Sequence, residues 1–497
     1  MNAVEAMKLF LEPRSVAFIG ASRNTSKDGE MNALELLVTG GFPGEVYPVN
    51  PKADEILGMK CYPSIGEVPP GVDMAVVSLP RHLVPRAVSE CVARGIKAII
   101  VHTMGLSDGQ DEEGKALQAE ALAIAKAGGA RIIGPNTFGV MNGFARLSTY
   151  MGPVNTERTL PLSGICQSGM FSYKSWPDLP LGGQGPVGKI VDLGNAGDID
   201  FADALEYYEA DPDTKVIFLH IEGIRDGKRF LEVARRVSRK KPVLALKVGR
   251  TEEGARAIAS HTGAMAGRDE VYDALLRQCG IIRVDDLDEL EDLSQAFLYL
   301  PLLRGTDLAI LSHAGGMCSM GTDAFAKYGL TVAALDPGTV QKIEGLFPSW
   351  ASVKNPLDIW PACLSNEYLS TLNSLVHAFL EDENVAGLFC VIWAVREPEL
   401  RWYDASQILG EAAARFPHKP ICTWSYGPSW PQWKVAIHGS GVLWYPTPER
   451  AARVFSALHR RWRFLQGDSV PGPSSTLKIC LTSASPYAKL QEATPTT

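Results

Sequence analysis

The chain has 497 residues, 46% of them hydrophobic and 21% charged, with a net charge of −8 and a pI near 5.7. That length suggests two to four globular domains, and the acidic balance excludes a general nucleic-acid or anionic-membrane binder. No apolar run reaches the roughly 18 residues of a membrane span, and the start "MNAVEAMKLFLEPRS" has no secretory signal pattern. The nine scattered cysteines include no C-x-x-C pair and no zinc spacing, so they read as reduced thiols of a cytoplasmic protein that ligates no metal.

From residue 15 the chain alternates short apolar, β-branched runs with helical patterns. "SVAFIGAS" (15–22), "EVYPVNP" (45–51), "MAVVSLP" (74–80), "KAIIVHT" (97–103) and "RIIGPN" (131–136) read as strands. Near-continuous apolar strands separated by helices predict a parallel sheet covered on both faces. A Rossmann-like domain is therefore expected over 1–145. The pattern restarts with "GKIVDLGN" (188–195), "KVIFLHIEG" (215–223) and "KPVLALKVG" (241–249), with helices near 201–210, 226–238 and 268–279. A second doubly wound domain is expected over 146–303. A third, over 304–465, begins at "DLAILSHAGGM" (307–317), includes "VAGLFCVIWAV" (385–395) and "KPICTWSYG" (419–427), and closes with a helix at 447–465. The composition of 466–497 reads as a linker or tail.

In open parallel sheets, ligands bind at the carboxyl ends of strands, where loops meet helix N-termini. Three such loops are rich in small residues. "GASRNTSKDG" (20–29) offers backbone N–H groups at Gly20, Ala21 and Ser22, with charge from Arg23 and Lys27, and reads either as an anion site or as a tight turn. It matches neither G-x-G-x-x-G nor a P-loop. "CQSGMFSY" (166–173) places Ser168 and Gly169 at a second strand end, and "SHAGGMCSMGTDAF" (312–325) places Gly315 and Gly316 at a third. Helix N-termini at two of these could together hold a phosphoryl group.

His261 stands in "ARAIASHTGAMAGRDEVYDALL" (255–276), expected to be a small-residue loop before a helix. Alone, such a His reads as a surface or capping residue. Glu222, at the end of an apolar strand, reads alone as a turn cap. Together they suit a His nucleophile whose tautomer a carboxylate fixes.

With these residues the sequence resembles the NDP-forming (ADP-forming) acyl-CoA synthetases, relatives of the succinyl-CoA synthetase α subunit. The likeness runs over about residues 10–460. It is carried by "IEGIRDGKRFLE" (221–232), "ASHTGAMAG" (259–267) and "GIIRVDDLDEL" (280–290), with "GAS" (20–22), "YPVNPK" (47–52), "GPN" (134–136), "QSG" (167–169) and "HAGG" (313–316). The resemblance implies an N-terminal Rossmann-like CoA-binding domain followed by two flavodoxin-like domains. It implies that His261 is phosphorylated and contacted by Glu222, and that CoA meets the 20–29 loop, Lys52 and Asn136. Acyl-CoA would form from an acid, CoA and ATP through a phosphohistidine and an acyl phosphate.

The family also uses an ATP-grasp module, which no motif here supplies. ATP and Mg²⁺ are therefore expected on a β subunit or fused domain, within an oligomer. The rival reading is a CoA- or acyl-CoA-sensing module without turnover, against which the intact "SHTG" and its upstream Glu speak.

Three departures from the family pattern bear on the acid: "GPNTFG" (134–139), the bulky "QSGMFSYKSW" (167–176), and "GNAGDID" (194–200), which includes Asn195. Nine of the ten tryptophans lie beyond residue 340. They read either as core or as partner interface, or as an aromatic pocket for an aryl or onium acid. Trp393 and Trp424 follow apolar strand runs and are the candidate pocket residues.

Overall fold

The computed structural model describes residues 1–22, 32–150, 159–169, 187–262, 268–393, 404–427, 430–437 and 440–467, with 259–262 in backbone only. Its apolar runs form strands because each buries both faces, which only a sheet covered by helices on two sides permits. The first sheet contains β1 (Ser15–Ile19), β2 (Glu45–Val49), β3 (Met74–Val77), β4 (Ala98–Val101) and β5 (Arg131–Ile133). All its pairs are parallel, in the order β2-β1-β3-β4-β5. Every residue of β1, β3 and β4 is buried.

The second sheet has seven strands: β6 (Val140–Asn142), β7 (Leu147–Ser148), β8 (Leu160–Cys166), β9 (Val187–Asp192), β10 (Val216–Ile221), β11 (Val243–Lys247) and β12 (Ile282–Val284). Their order is β12-β11-β10-β8-β9-β6-β7, parallel from β8 to β12. β6 and β7 join its edge as an antiparallel pair beside β9, so residues 140–148 belong to this sheet.

The third sheet comprises β13 (Asp307–Ser312), β14 (Thr331–Val332), β15 (Leu357–Asp358), β16 (Gly387–Trp393), β17 (Ile421–Tyr426) and β18 (Leu443–Trp444). Its order is β14-β13-β16-β17-β18, with β15 paired to the end of β13. The α/β architecture is thus three consecutive doubly wound units. In the first two, the parallel strands run second-first-third-fourth-fifth, and the third keeps this order when the short β15 is set aside, so in each the crevice opens beside the first strand where the order reverses.

The units are tied by partly buried polar contacts and by a shared apolar cluster. Arg131 donates to both oxygens of Asp198 at 2.9 Å, and Ile132 N donates to the same carboxylate at 2.8 Å, joining the first sheet to the loop after β9. The helices Leu287–Tyr299 and Pro448–Gln466 pack between the second and third sheets in one apolar cluster with Leu290, Leu293, Phe455 and Leu458. There Arg450 grips the Asp292 carboxylate with two bonds of 2.6 and 2.7 Å. The closing helix starts on a Thr447 cap with Pro448 in its first turn and stops at Gly467, whose φ is +91°. No helix among the described residues is long and apolar enough to cross a membrane.

Gly20 shows how tightly the first crevice is built. It follows β1 at φ +89°, and a Cβ there would fall 2.1 Å from the carbonyl oxygen of Ser78, the residue after β3. Only glycine fits. Gly20→Ala should destabilise the first sheet by about 2 kcal/mol or more. Thermal unfolding followed by circular dichroism should show an earlier first transition, and an unchanged one would contradict the packing described.

Candidate functional site

Four charged or amide side chains line the carboxyl edge of the second sheet because four adjacent parallel strands end together there. Cys166 of β8 pairs in register with Asp192 of β9 and His220 of β10, and Ile221 of β10 pairs with Lys247 of β11. One residue further, β8 delivers Gln167 and β10 delivers Glu222. The crevice lies between these two strands.

Gln167 bridges it. Its buried Oε1 accepts the backbone N–H of Glu222 at 2.8 Å and of Gly223 at 3.0 Å, which fixes the chain at the end of β10. Ile224 N donates to the Tyr272 hydroxyl at 3.1 Å and holds the next turn. The Glu222 side chain is itself buried.

Asp192 lies on the other side of β8, wholly buried. Its Oδ2 accepts from Phe138 N at 2.7 Å and its Oδ1 from Gly194 N at 3.2 Å. Burial pushes this carboxyl up to about 6, against the pull of those donors, and the Glu222 charge pushes the same way. A Cβ on Gly169 would fall 2.9 Å from the Phe138 ring and 3.1 Å from Asp192 Oδ2, so only glycine leaves this backbone so near the carboxylate. On the far strand, buried Lys247 stands 4.5 Å over the Tyr272 ring and donates to the Val248 carbonyl. Burial pulls its ammonium down to about 8.

The sequence expectation for His261 needs correcting in one respect. Residues 252–262 are a helix, Glu252–Thr262, so His261 stands in its last turn and not in a loop. Alanine is the strongest helix former, and "ARAIASHT" follows its propensity. The His261 side chain and the contacts of 263–267 lie outside the described residues, as do Arg23 and Lys27.

The other expected site residues are placed as follows. Ser168 and Gly169 follow Gln167 at the end of β8. Gly315 and Gly316 open the helix Gly315–Lys327 at the end of β13, exposed. Beside Gly20, the Ala21 carbonyl accepts from Asn50 Nδ2 at 2.7 Å and the Ser22 carbonyl from Asn32 Nδ2 at 3.3 Å. Lys52 is exposed on the adjoining turn, where its N–H donates to Asn50 Oδ1 at 2.8 Å.

Asn136, at φ +58°, donates its amide to Asn195 Oδ1 at 3.2 Å. Asn195 Nδ2 in turn faces Ser107 Oγ, Asp108 Oδ1 and Gln118 Oε1 at 2.9–3.1 Å. These two asparagines, assigned by sequence to CoA and to the acid, are thus bonded to each other across the junction of the first two sheets.

Trp393 ends β16, whereas Trp424 lies two residues inside β17 and packs toward the core. Trp402 and Tyr403 fall outside the described residues. Sequence reading missed Gln167, Asp192 and Lys247. The signal was available for Asp192 and Lys247, since each ends an apolar strand with a charge, as Glu222 nearly does. Among the described residues no three His, Cys, Asp or Glu side chains converge as a metal site.

A CoA-binding-domain model matches residues 14–143, and a model of the succinyl-CoA-ligase-like flavodoxin domain matches residues 161–297. The α subunit of acetate–CoA ligase [ADP-forming] I from Pyrococcus furiosus is 35% identical over 471 residues, covering 92% of this chain and 98% of that subunit. The chain belongs to the ADP-forming acyl-CoA synthetase family. Acetate–CoA ligase [ADP-forming] II of Archaeoglobus fulgidus is 40% identical over 389 residues, which make up 77% of this chain and 57% of that protein. This chain therefore spans less than two thirds of that relative. A solved structure of the dinucleotide-forming acetyl-CoA synthetase 1 of Ca. Korarchaeum cryptofilum, in complex with phosphate and ADP, superimposes with a TM-score of 0.82 at 32% identity, covering 93% of this chain and 98% of that one.

The raised carboxyl of Asp192 gives a pH signature. A carboxyl whose folded pKa lies above its unfolded value lends stability that is complete below pH 3.8 and lost as the pH rises through about 6. Asp192→Asn removes this titration. The stability of the natural chain minus that of the variant, from denaturant titrations at several pH values, should fall between pH 3.8 and about 6 and stay level above. A difference independent of pH would rule out the buried titration.

Proposed function

We propose that this chain is the CoA-binding and phosphohistidine-bearing part of an ADP-forming acid–CoA ligase, with His261 as the phosphoryl carrier. The observation that carries this is the switch-point crevice of the second sheet, where Gln167 locks the backbone of Glu222 between two neighbouring strand ends. Glu222 acts on His261 as an orienting carboxylate. It holds one imidazole nitrogen as N–H, which leaves the other as the lone pair that attacks.

The steps balance as ATP, acid and CoA giving ADP, phosphate and acyl-CoA. The His261 nitrogen bonds to the γ-phosphorus as the bond to ADP breaks. A carboxylate oxygen of the acid then takes the phosphoryl group and releases neutral His261. The CoA thiol attacks the acyl carbon, loses its proton, and expels phosphate. The backbone N–H groups at Ser168–Gly169 and at Gly315–Gly316 are the donors this reading assigns to the phosphoryl oxygens. An ATP-grasp subunit or domain would hold ATP together with Mg²⁺, which would neutralise the phosphates. CoA meets the edge of the first sheet at Gly20–Ser22 and Lys52, with Arg23 and Lys27 adding charge.

With the nucleotide module supplied, γ-³²P ATP should label this chain, and His261→Ala should abolish both label and turnover while folding is kept. Glu222→Gln should slow labelling by roughly 10²-fold. Label retained in a folded His261→Ala chain would refute the assignment. By calorimetry the chain alone should bind CoA, more weakly when Arg23 or Lys27 is neutralised, and should turn nothing over. ATP-dependent ligation by the chain alone would refute the need for a partner module.

A further inference from the structure

The carboxyl edge of the third sheet gathers side chains that the steps above do not use. Trp360, just past β15, and Trp393, the last residue of β16, meet edge to face with 6.2 Å between ring centroids and 76° between planes. Tyr426, the last residue of β17, is the register partner of Trp393 on the next strand. Trp360 keeps 37% of its surface exposed, a large amount for an indole held beside another.

Asp358, the last residue of β15, lies among these rings. Its Oδ1 accepts from Trp360 N at 3.0 Å, and its Oδ2 would be 3.4 Å from a Cβ on Gly315. Its charge reaches both His313 and the Tyr426 phenol. Among the described residues no lysine or arginine forms an ion pair with it.

His313, the residue after β13, packs its ring against Tyr368 at 5.2 Å between centroids. It is only 6% exposed, and its Nδ1 lies 3.0 Å from the Val391 carbonyl. A carbonyl can only accept, so Nδ1 carries the proton. Burial disfavours the charged ring, so Nε2 is a bare lone pair, and it is buried without a hydrogen-bond partner.

The Trp360 and Trp393 rings and the Asp358 carboxylate, joined through the Trp360 backbone N–H, all present negative potential at this edge. A neutral aryl group would use the rings but gain nothing from the carboxylate. An ammonium with N–H donors would be drawn to water. A fully alkylated onium head has no donors to leave unpaired, is weakly hydrated, and is attracted by the rings and the carboxylate alike. We propose that the carboxyl edge of the third sheet seats the onium head of the acid substrate, a carboxylic acid with a permanent positive charge. That it is a substrate rests on the ligase reading, while the binding itself does not.

Isosteres test this. ω-Trimethylammonio acids with one to three methylenes, their tert-butyl counterparts of the same shape, and 3-phenylpropionate are titrated by calorimetry into the full chain with CoA present. The best onium acid should bind about tenfold tighter than its tert-butyl twin, within the range expected of a desolvated cation–π site. Trp393→Leu and Asp358→Asn should each shrink that ratio to near one. Should either variant fail to fold by circular dichroism, the ratio in the natural chain decides alone.

Equal binding of the twins, a preference for 3-phenylpropionate, or no binding of any acid would overturn the proposal. Phosphohistidine labelling of the same preparation separates the two readings. Label without onium preference defeats the onium site alone, and onium preference without label defeats the ligase reading while the site stands.

Discussion

One amide oxygen bears most of the geometry. Gln167 Oε1 accepts two consecutive backbone N–H groups just past the paired ends of β8 and β10, where the strand order reverses. Buried donors left unpaired would cost about 1–3 kcal/mol each. The loop after β10 is therefore pinned at the crevice, and Glu222 with it. A shorter side chain would not reach, and an apolar one would leave both donors stranded.

Around that point the second sheet orders its charges strand by strand: Asp192 on β9, Glu222 after β10, Lys247 on β11. Two carboxyls flank a neutral amide, and a partly discharged lysine stands beyond them. Burial drives Asp192 toward its neutral form and Lys247 toward its free amine. The two shifts oppose each other in sign, so burial lowers the number of charges at the edge without changing their balance. The neighbouring sheets are aligned to it by polar clamps, Arg131 with Asp198 on one side and Arg450 with Asp292 on the other.

Much of this was legible in the residues alone. Runs such as "MAVV" and "VIFLHI" are apolar at every position, which only a strand covered on both faces explains. Strand ends then followed, and with them Glu222 and the glycine turns. What escaped reading depended on long-range pairing. Asn136 and Asn195 are 59 residues apart, and nothing local says that they bond to each other. His261 was read as a loop residue because small side chains suggest access, whereas alanine-rich sequence winds into helix. Trp424 was misplaced by two residues, which in a strand keeps the face but moves the side chain about 7 Å back from the edge.

The β6–β7 pair has a consequence for how the chain can be divided. These short strands cover the outer side of β9 and are supplied by the segment that leaves the first sheet. The Asn142 side chain also donates back to the Leu11 carbonyl at 2.9 Å, so the pair is fastened to the N-terminal helix as well. A cut at residue 145 would split the hairpin between two fragments. The downstream piece would present β9 as a bare edge, with unpaired N–H and C=O groups ready to template pairing with another copy. The two units share a strand-level seam, and recombining them with other modules would have to carry residues 140–148 along with the second sheet.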